Sequence, residues 1–521
     1  MRGMSSNVLT SLAIIGCITV SLPSCVETQD SDEISHETQQ STSSSDAIDR
    51  GRDVWFKNSY GGEKFFTFLA NHPDPAKRIK IGFEAVLNTP RSVRHDIWGV
   101  VNDPDCTANP MGGMDICPDP EATGVVGMRQ TSARGFQEFG AACAACHAGM
   151  DPNNPPADAN NPSWDNIHAT IGNQKLQLGM IFAANLDLSN PADAVRAMVF
   201  ASWPAGTVDT TALFSDNINN PGTITAFWEH NHRNVFDVEG FDEPKLRNGQ
   251  GGEDDIGGDI AALRVYTNIG VCFFECVAGP ATVGVPISID ACRNTCPDFP
   301  PQSDLDDMGE FLASHSAPQF PGWPVRFIKY VKGAITFKRN CASCHDNKGR
   351  DLRRVLSNDE VNTLTDLGAN ATNKCRALGT NWDPGNIWAE FTSSTTHQRA
   401  IDGTKGYRSM PLAGVWSTPP FMHNNSIGTG APATATLAEK LAAYESSMYE
   451  LLSATRTPVI NTIPVDVGPF PAGTPLAYVV NRDPGTGALL CDDVVENGGH
   501  HFGSELSDRR KSDLIYYLRF K

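Results

Sequence analysis

The sequence predicts a mainly α fold with long irregular loops, divided into two domains. Three observations predict it: segments rich in Pro, Gly and Asn with few alternating apolar runs, two separate C-x-x-C-H strings, and a length of 521 residues, of which 40% are hydrophobic. A chain of this length can bury a sizeable core, which is usually shared between domains. The 46 Gly and 35 Pro are close to an ordinary share, so a collagen-like or wholly disordered chain is excluded.

The charge balance excludes one class of partner. The chain has 41 Lys and Arg against 60 Asp and Glu, a net charge of −19. A protein that binds nucleic acid needs a basic surface to meet the phosphates, so a nucleic-acid partner is not expected. A neutral or electropositive partner suits the overall charge better. Apart from the N-terminus, no run approaches the 18 apolar residues of a membrane-spanning helix.

The N-terminus predicts export. Residues 1–24 hold one charged side chain and an apolar run, Val8 to Leu22, which is typical of a secretory signal peptide. Leu22-Pro23-Ser24-Cys25 resembles a bacterial lipobox, so we expect a lipid anchor at the periplasmic or outer cell surface, with a plain cleaved signal as the alternative. Residues 25–50 hold seven acids and nine Ser or Thr, too polar to form a core, and predict a disordered tether.

The 14 cysteines must be accounted for, because an oxidising compartment converts spare thiols into disulfides. Two lie in the signal region and four in the C-x-x-C-H strings, which leaves an even number of eight. We expect Cys106 to pair with Cys117 and Cys375 with Cys491. An insertion at residues 272–296 would hold two further bridges among Cys272, Cys276, Cys292 and Cys296. Spacing alone does not fix the connectivity.

The two strings predict two covalently bound haem c groups. They are Cys143-Ala-Ala-Cys146-His147 and Cys341-Ala-Ser-Cys344-His345. Two thiols one helical turn apart can add to the two vinyl groups of one haem, and the next residue, histidine, is placed to bind the iron. A zinc knuckle would need further close ligands, and the next histidine is His168. A redox C-x-x-C pair is the other alternative.

The separation of the strings sets the expected domains. His147 and His345 are 198 positions apart (345 minus 147), enough for an N-terminal haem c domain over residues 51–325 and a C-terminal one over 326–521.

Two helices are clearest from the pattern. The first is Phe327 to Asn340, where apolar residues recur near helical spacing at Ile328, Val331, Ile335 and Phe337, with Gly333 a weakness. The second is Asp508 to Leu518, with Ser507 as N-cap and a buried face of Leu514, Ile515 and Leu518.

Two further segments carry a resemblance to a known family. Residues 406–426, GYRSMPLAGVWSTPPFMHNNS, resemble the signature of dihaem proteins related to bacterial cytochrome c peroxidase and MauG. Residues 497–518, NGGHHFGSELSDRRKSDLIYYL, resemble the Gly-His string and terminal helix of the rubber-oxygenase-like branch. With the strings, the resemblance covers about a tenth of the chain. Asn425 stands where that signature usually has Gly, and the insertion at 272–296 departs from the pattern.

For the second haem, the resemblance implies an iron with two protein ligands that passes electrons. His345 would bind on one side, and His500 of the Gly-His string on the other. Tyr444 is an alternative, because residues 436–444 resemble the segment that supplies Met or Tyr in peroxidases and MauG. His423, which by analogy lines the site, and His501 are further alternatives. Without a ligand role, His500 would be a solvated surface histidine.

For the first haem, no Met or His after His147 has a ligand signature. His168 could close the iron, as in resting peroxidases, whereas the rubber-oxygenase resemblance implies an open or oxygen-bound iron beneath aromatic residues. Residues 225–240 fit the second picture, with Trp228 as an inter-haem or pocket aromatic and Phe236 as a pocket wall. Possible proton donors to a bound peroxide are Glu229, His230 and His232. Core packing or simple exposure would account for the same residues.

These observations lead to an expected function. We expect an exported, peroxidase-like dihaem oxidoreductase that activates peroxide or dioxygen at the N-terminal haem, with electrons from a small redox protein or another donor entering through the C-terminal haem. One alternative is a non-catalytic electron carrier, in which the protein ligates both irons fully. A second, an oxidative-cleavage dioxygenase of a hydrophobic polymer or terpenoid, depends on the branch resemblance alone.

Overall fold

The structure of the protein is a computed structural model that describes residues 44–59, 62–71, 78, 80–130, 139–208, 221–228, 287–288, 301–345, 355–357, 391–392, 406–408, 412–456, 471–473, 500 and 502–521. All of these residues belong to one compact unit, Ser43–Lys521. The signal peptide lies outside them, as do Phe236, Glu229, His230, His232 and His501. The division into two haem domains stays a prediction.

Helices make up most of the regular structure in these ranges. They are α1 (Ser44–Lys57), α2 (Gly62–Ala70), α3 (Phe83–Asn88), α4 (Arg91–Trp98), α5 (Ala144–His147), α6 (Leu178–Ala183), α7 (Pro191–Ala201), α8 (Gln302–Ala313), α9 (Phe327–Asn340), α10 (Ala342–His345), α11 (Leu437–Leu451) and α12 (Asp508–Leu518). Short 3-10 helices lie at Trp164–Asn166 and Val415–Ser417.

The strands are two or three residues long and pair in twos. The antiparallel pairs are β1 (Met128–Gln130) with β2 (Phe139–Ala141), β3 (Gly149–Met150) with β4 (Ile167–His168), β5 (Thr207–Val208) with β6 (Gly222–Thr223), and β8 (Val355–Ser357) with β10 (Gly406–Arg408). The parallel pair is β7 (Ile287–Ser288) with β9 (Phe391–Thr392). The predicted mainly α class with irregular loops is confirmed at this level. None of the described helices is long and apolar enough to cross a membrane.

Helix α1 shortens the predicted tether. It begins at Ser44, so the last part of the segment assigned to a tether, residues 44–50, is helical. The physical reason is its contact with α8. Arg50 makes a bidentate ion pair with Asp307, at 2.6 and 2.8 Å. Ile48 packs on the buried cluster that contains Phe311. At Gly51 a Cβ atom would overlap the backbone of Asp307, so glycine allows the close approach.

Helices α9 and α12 have the predicted bounds, but α9 turns a different face inward. Its buried residues are Gly333, Thr336 and Phe337, whereas Ile328, Val331 and Ile335 are exposed. The α9 backbone approaches α12 at Gly333, where a Cβ would overlap the backbone oxygen of Asp513. The residue that looked like a weakness in the helix is therefore the closest contact point of the helix pair.

In α12 the predicted face is confirmed. Leu514, Ile515 and Leu518 are buried, together with Tyr516. Ser507 occupies the N-cap position without a side-chain hydrogen bond to the helix.

One predicted disulfide is confirmed. Cys106 and Cys117 are joined, with an S–S distance of 2.07 Å. Inside the loop that they close, Asp115 accepts hydrogen bonds from Arg91 and Arg94 at 2.9 to 3.1 Å. The side chains of Arg94 and Asp115 are 1% and 2% exposed, so the pair is desolvated and holds the loop against α4. The other predicted bridges lie outside the described residues.

Replacing Gly333 tests the contact between α9 and α12. Gly333→Ala should lower the free energy of unfolding by about 1–3 kcal/mol, because the added methyl group overlaps backbone that cannot move aside cheaply. The matched control is Gly309→Ala in α8, where nothing lies within 4 Å of the new Cβ. That variant should be more stable by about 0.5–1 kcal/mol, the usual gain of Ala over Gly in a helix. Urea unfolding of both variants measures the difference; equal stabilisation would contradict the contact.

Candidate functional site

The first C-x-x-C-H string forms a single helical turn. Cys143 is the N-cap of α5 in helical backbone conformation, and the amide of His147 donates to the carbonyl of Cys143 at 3.0 Å. The turn lies between two buried clusters: Cys143 packs on the one with Trp55 and Phe311, and Cys146 on a second one. The two thiols and the imidazole are therefore presented by one rigid turn.

The environment of the Cys146 thiol differs from that of a redox cysteine. Burial raises the pKa of the Cys146 thiol to about 12, so at neutral pH it carries its proton. Redox C-x-x-C motifs instead have a lowered cysteine pKa, because the thiolate is the nucleophile. Across the described ranges, no group of three His, Cys, Asp or Glu side chains is arranged to hold a metal ion. The raised pKa of Cys146 does not favour the redox alternative.

His147 is held in one orientation. Its Nδ1 lies 2.8 Å from the carbonyl oxygen of Thr225, so Nδ1 carries the proton and Nε2 keeps its lone pair for a ligand. Burial lowers the pKa of His147 to about 4, which keeps the ring neutral at physiological pH. Phe227 packs edge-on against the imidazole with ring centroids 4.6 Å apart, and Trp55 lies at 6.0 Å.

The second string follows α9 directly. Cys341 is the C-cap of α9 and packs on the C-terminal core that contains Trp416 and Tyr444. The amide of His345, at the end of α10, donates to the carbonyl of Cys341 at 2.9 Å, as in the first string. The side chain of Cys344 lies outside the described residues.

His345 faces another histidine, His500. The centroids of the two rings are 6.0 Å apart. His500 has a φ of 50°, in the left-handed region, and its carbonyl oxygen accepts a hydrogen bond of 2.7 Å from Arg456. Two imidazoles on opposite sides of one metal ion, each about 2 Å from it, have centroids roughly 6.3 Å apart. The observed spacing is compatible with a shared metal, and the structure brings this pair together across 155 residues of sequence (500 minus 345).

Tyr444 lies in a different environment. It is fully buried in the C-terminal core, and its hydroxyl donates to the carbonyl of Ile515 at 3.0 Å. Burial raises the pKa of Tyr444 well above its ordinary value, and a tyrosine that binds iron does so as a phenolate. The geometry thus favours His500 over Tyr444. His423 lies in residues 406–426, here called the signature loop, and its carbonyl accepts a hydrogen bond from the amide of Thr223 at 2.7 Å.

His168 has both ring nitrogens close to backbone groups. Its Nε2 lies 3.3 Å from the carbonyl of Ser316, and its Nδ1 accepts from the amide of Thr170 at 3.3 Å. Burial lowers the pKa of His168, so the ring is neutral. The His315 ring lies 6.1 Å from that of His168. With both nitrogens occupied by the chain, His168 is a weak candidate for a metal ligand.

Trp228 lies between residues of the two halves of the chain, before and after residue 326. It is 1% exposed, and its cluster includes Ile171 and Ala226 from the first half and Ala413 from the second. Its ring is 5.5 Å from His168. Its Nε1 is buried, with no hydrogen-bond partner among the described residues. The expected role of Trp228, as an inter-haem or pocket aromatic residue, stays a prediction.

Residues 222–228 connect the site elements through their backbone. The amide of Ile224 donates to Gly206, and that of Phe227 donates to Thr170, at 2.8 and 2.7 Å. Between them, Thr225 supplies the acceptor for His147. One short segment therefore sets His147, Phe227 and Trp228 relative to each other.

Asn425 ties the signature loop to the first half of the chain. It is 2% exposed, and its amide nitrogen lies 2.6 Å from Oε1 of Gln174 and 2.9 Å from the carbonyl of Ala205. Its oxygen accepts from the hydroxyl of Thr223 at 2.8 Å. Its φ of 59° is in the left-handed region, which Asn and Gly tolerate better than other residues do.

A cavity of about 90 Å³ is lined by residues of the segments 149–152 and 171–175 on one side and of the segments 416–419 and 431–433 on the other. Two lysines on its wall reach across the halves: Lys175 donates to the carbonyl of Gly430 at 3.2 Å, and Lys440 to that of Pro152 at 2.8 Å. Burial lowers the pKa of both amines. In these contacts the two lysines link the part of the chain before residue 326 to the part after it.

Comparison with known proteins adds no assignment. No protein-family model matches the chain, and no curated protein matches it.

Some site residues had no sequence signal. The Thr225 carbonyl is a backbone acceptor, which any residue could provide, and Trp55 lies 92 positions before His147 (147 minus 55). In the sequence, Asn425 was noted only because it stands where the resembled signature usually has Gly.

Replacing Asn425 separates its hydrogen bonds from its backbone conformation. Asn425→Ala should cost about 2–4 kcal/mol of stability, because buried partners lose hydrogen bonds and a left-handed Ala is strained. Asn425→Gly loses the same hydrogen bonds without the strain, and should recover about 1 kcal/mol. Thermal unfolding of both variants measures this difference. If Ala and Gly are equally costly, φ at this position is not the constraint.

Proposed function

We propose that the protein is an exported dihaem c-type oxidoreductase of the peroxidase-like kind, with two covalently bound haem c groups. The observation that carries the proposal is a difference between two otherwise similar strings. His345 has a second imidazole facing it at 6.0 Å. Among the described residues, the ring nearest to His147 is that of Phe227, a side chain that cannot bind iron. Unequal coordination is what an enzyme needs if one haem reacts and the other passes electrons.

The donor set at each string suits a haem c. Each string presents its first cysteine and its histidine from one helical turn, and the imidazole of His147 is neutral with Nε2 available. When bound, haem c supplies one-electron chemistry and activation of peroxide or dioxygen. The chain's own task is to hold the ligands, keep them neutral and limit the access of water.

The first site is proposed to be open. His168, the candidate for closing it, has both nitrogens within 3.3 Å of backbone groups. Trp55 and Phe227 surround the His147 ring with apolar surface, which orients the ligand and excludes water. Reduction of one hydrogen peroxide to two waters takes two electrons and two protons. Glu229, His230 and His232 are proposed as the proton donors, and Phe236 as a pocket wall.

The second site is proposed to pass electrons. His345 and His500 would both bind its iron. Trp228 shares a buried cluster with Ala317 of the first half, and Ala413 of the second half packs against that cluster, so Trp228 is proposed to lie on the route between the two haems. The Thr225 carbonyl acts indirectly, by fixing the His147 ring.

Export and anchoring are part of the proposal. The signal-like residues 1–24 and the lipobox-like Cys25 support placement in the periplasm or at the outer cell surface, with membrane attachment only through a lipid on Cys25. The Cys106–Cys117 disulfide is typical of an oxidising compartment. The proposed electron partner is a small redox protein.

Haem content and ligand binding test the proposal. Intact-mass measurement should show two haems per chain that resist acid-acetone extraction, because each string forms two thioether bonds. Carbon monoxide added to the reduced protein should perturb the absorption of about one haem in two. Loss of haem on extraction would overturn covalent attachment. If carbon monoxide binds to neither haem, the enzyme proposal fails and the non-catalytic electron carrier is favoured.

Two substitutions test the second site. His500→Ala should convert one haem from low to high spin in the EPR spectrum of the oxidised protein, because its iron loses a strong ligand. Tyr444→Phe should leave that spectrum unchanged and cost about 1 kcal/mol of stability, since it removes only the hydrogen bond to Ile515. If instead Tyr444→Phe changes the spin state and His500→Ala does not, Tyr444 is the ligand.

A further inference from the structure

Helix α9 exposes an apolar face. Phe327 and Ile328 are 68% and 71% exposed, and Val331 and Ile335 are exposed as well. Successive helical residues advance by about 100°, so these four fall within roughly 100° of arc on one side of the helix. Trp323 and Val325, just before the helix, are 88% and 89% exposed. Exposed apolar groups clustered in this way mark interaction sites more often than scattered ones do.

The opposite side of α9 already has its partner. Gly333 and Phe337 are buried, and Tyr330 and Phe337 stack on Tyr517 of α12 with centroids 5.1 and 5.5 Å apart. Lys329 donates to the hydroxyl of Ser512 at 2.6 Å. The core of this half therefore needs nothing from the exposed face, and no described residue covers it.

The charge of this region is opposite to that of the chain. Residues 311–345 contain no Asp or Glu, although the whole chain has 60 and a net charge of −19. Arg326, Lys332, Lys338 and Arg339 are all exposed. They surround the apolar face with positive charge, so the overall charge is a poor guide here. A complementary partner has an apolar patch ringed by acidic groups.

The face also adjoins the second string. α9 ends at Asn340, and its C-cap is Cys341. Ile335 is six residues before Cys341, about 9 Å along the helix axis. A protein seated on the face would lie beside the thiol proposed to hold the second haem.

We propose that the exposed face of α9, with Trp323 and Val325, is the docking surface for a small acidic redox protein. The inference rests on the proposed function and adds where the donor binds. In each encounter the donor would lose one electron, and a haem c held by Cys341 and His345 would accept it. Two such electrons and two protons would account for one hydrogen peroxide reduced to two waters. An anionic bilayer would match the same charges, but an electron donor is favoured because the face ends at an attachment cysteine of the electron-entry haem.

The experiment uses the haem-loaded protein and two reduced monohaem cytochromes c of similar size, one acidic and one basic. Stopped-flow absorption measures reduction of the second haem, and titration calorimetry measures binding. Lys332→Glu with Lys338→Glu reverses charge on the face. The matched control is Lys57→Glu with Lys80→Glu, which makes the same charge change at exposed residues in weak surface pairs. Ile328→Ser with Ile335→Ser tests the apolar contact.

The acidic cytochrome should react at least about ten-fold faster than the basic one at low salt, and should lose this advantage at high salt. The face charge variant should lower the rate about ten-fold relative to the control variant, and the serine variant should weaken binding about ten-fold. Equal rates in the face and control variants would overturn the proposal. The proposal would also be overturned if Lys332 and Lys338 were needed for cosedimentation with phosphatidylserine vesicles but not for binding of the cytochrome.

A small electron donor distinguishes a failure of the docking proposal from a failure of the proposed function. Tetramethyl-p-phenylenediamine needs no docking surface. If it supports peroxide reduction while the acidic cytochrome neither binds nor reacts, the docking proposal fails and the proposed function stands. If it supports none while the acidic cytochrome still binds through the face and reduces the second haem, the peroxidase function fails and the docking surface stands.

Discussion

The hydrogen bond between Nδ1 of His147 and the carbonyl of Thr225 is the contact on which the arrangement of the candidate site depends. It fixes the ring tautomer and ties the first C-x-x-C-H turn to residues 222–228. That segment pairs with β5, donates to Thr170 and the signature loop through its amides, and carries Phe227 and Trp228. The segment that supplies this carbonyl also carries Phe227 and Trp228. The imidazole of His147 and these two aromatic side chains are therefore positioned together.

Two C-x-x-C-H strings with the same local structure lie in different surroundings. Both strings close one helical turn with the same backbone hydrogen bond, so their local structure is alike. The difference comes from distant residues: Phe227 beside His147, and His500 opposite His345. Asn425, Lys175 and Lys440 brace the halves that carry these environments. The second string directly follows α9, whose exposed face is basic and apolar.

The sequence predicted features governed by local pattern. The bounds of α9 and α12 followed from apolar spacing and a capping residue, and the Cys106–Cys117 bridge followed from a short spacing. It did not predict which side of α9 is buried, because that depends on Gly333 meeting the backbone of α12. The His345–His500 pairing was suggested by resemblance alone. The Thr225 contact could not be anticipated, since backbone acceptors leave no trace in residue type.

The buried histidines give the first half of the protein a specific weakness toward acid. Burial lowers the pKa values of His95, His168 and His315 below the ordinary 6.5. In the unfolded chain these rings bind protons as soon as the pH falls through 6.5, whereas in the folded chain they resist. Unfolding is then coupled to proton uptake, so stability that is complete above pH 6.5 declines as the pH falls below it. Acidification below pH 6.5 therefore lowers the stability of the compact unit, Ser43–Lys521, that contains these three histidines.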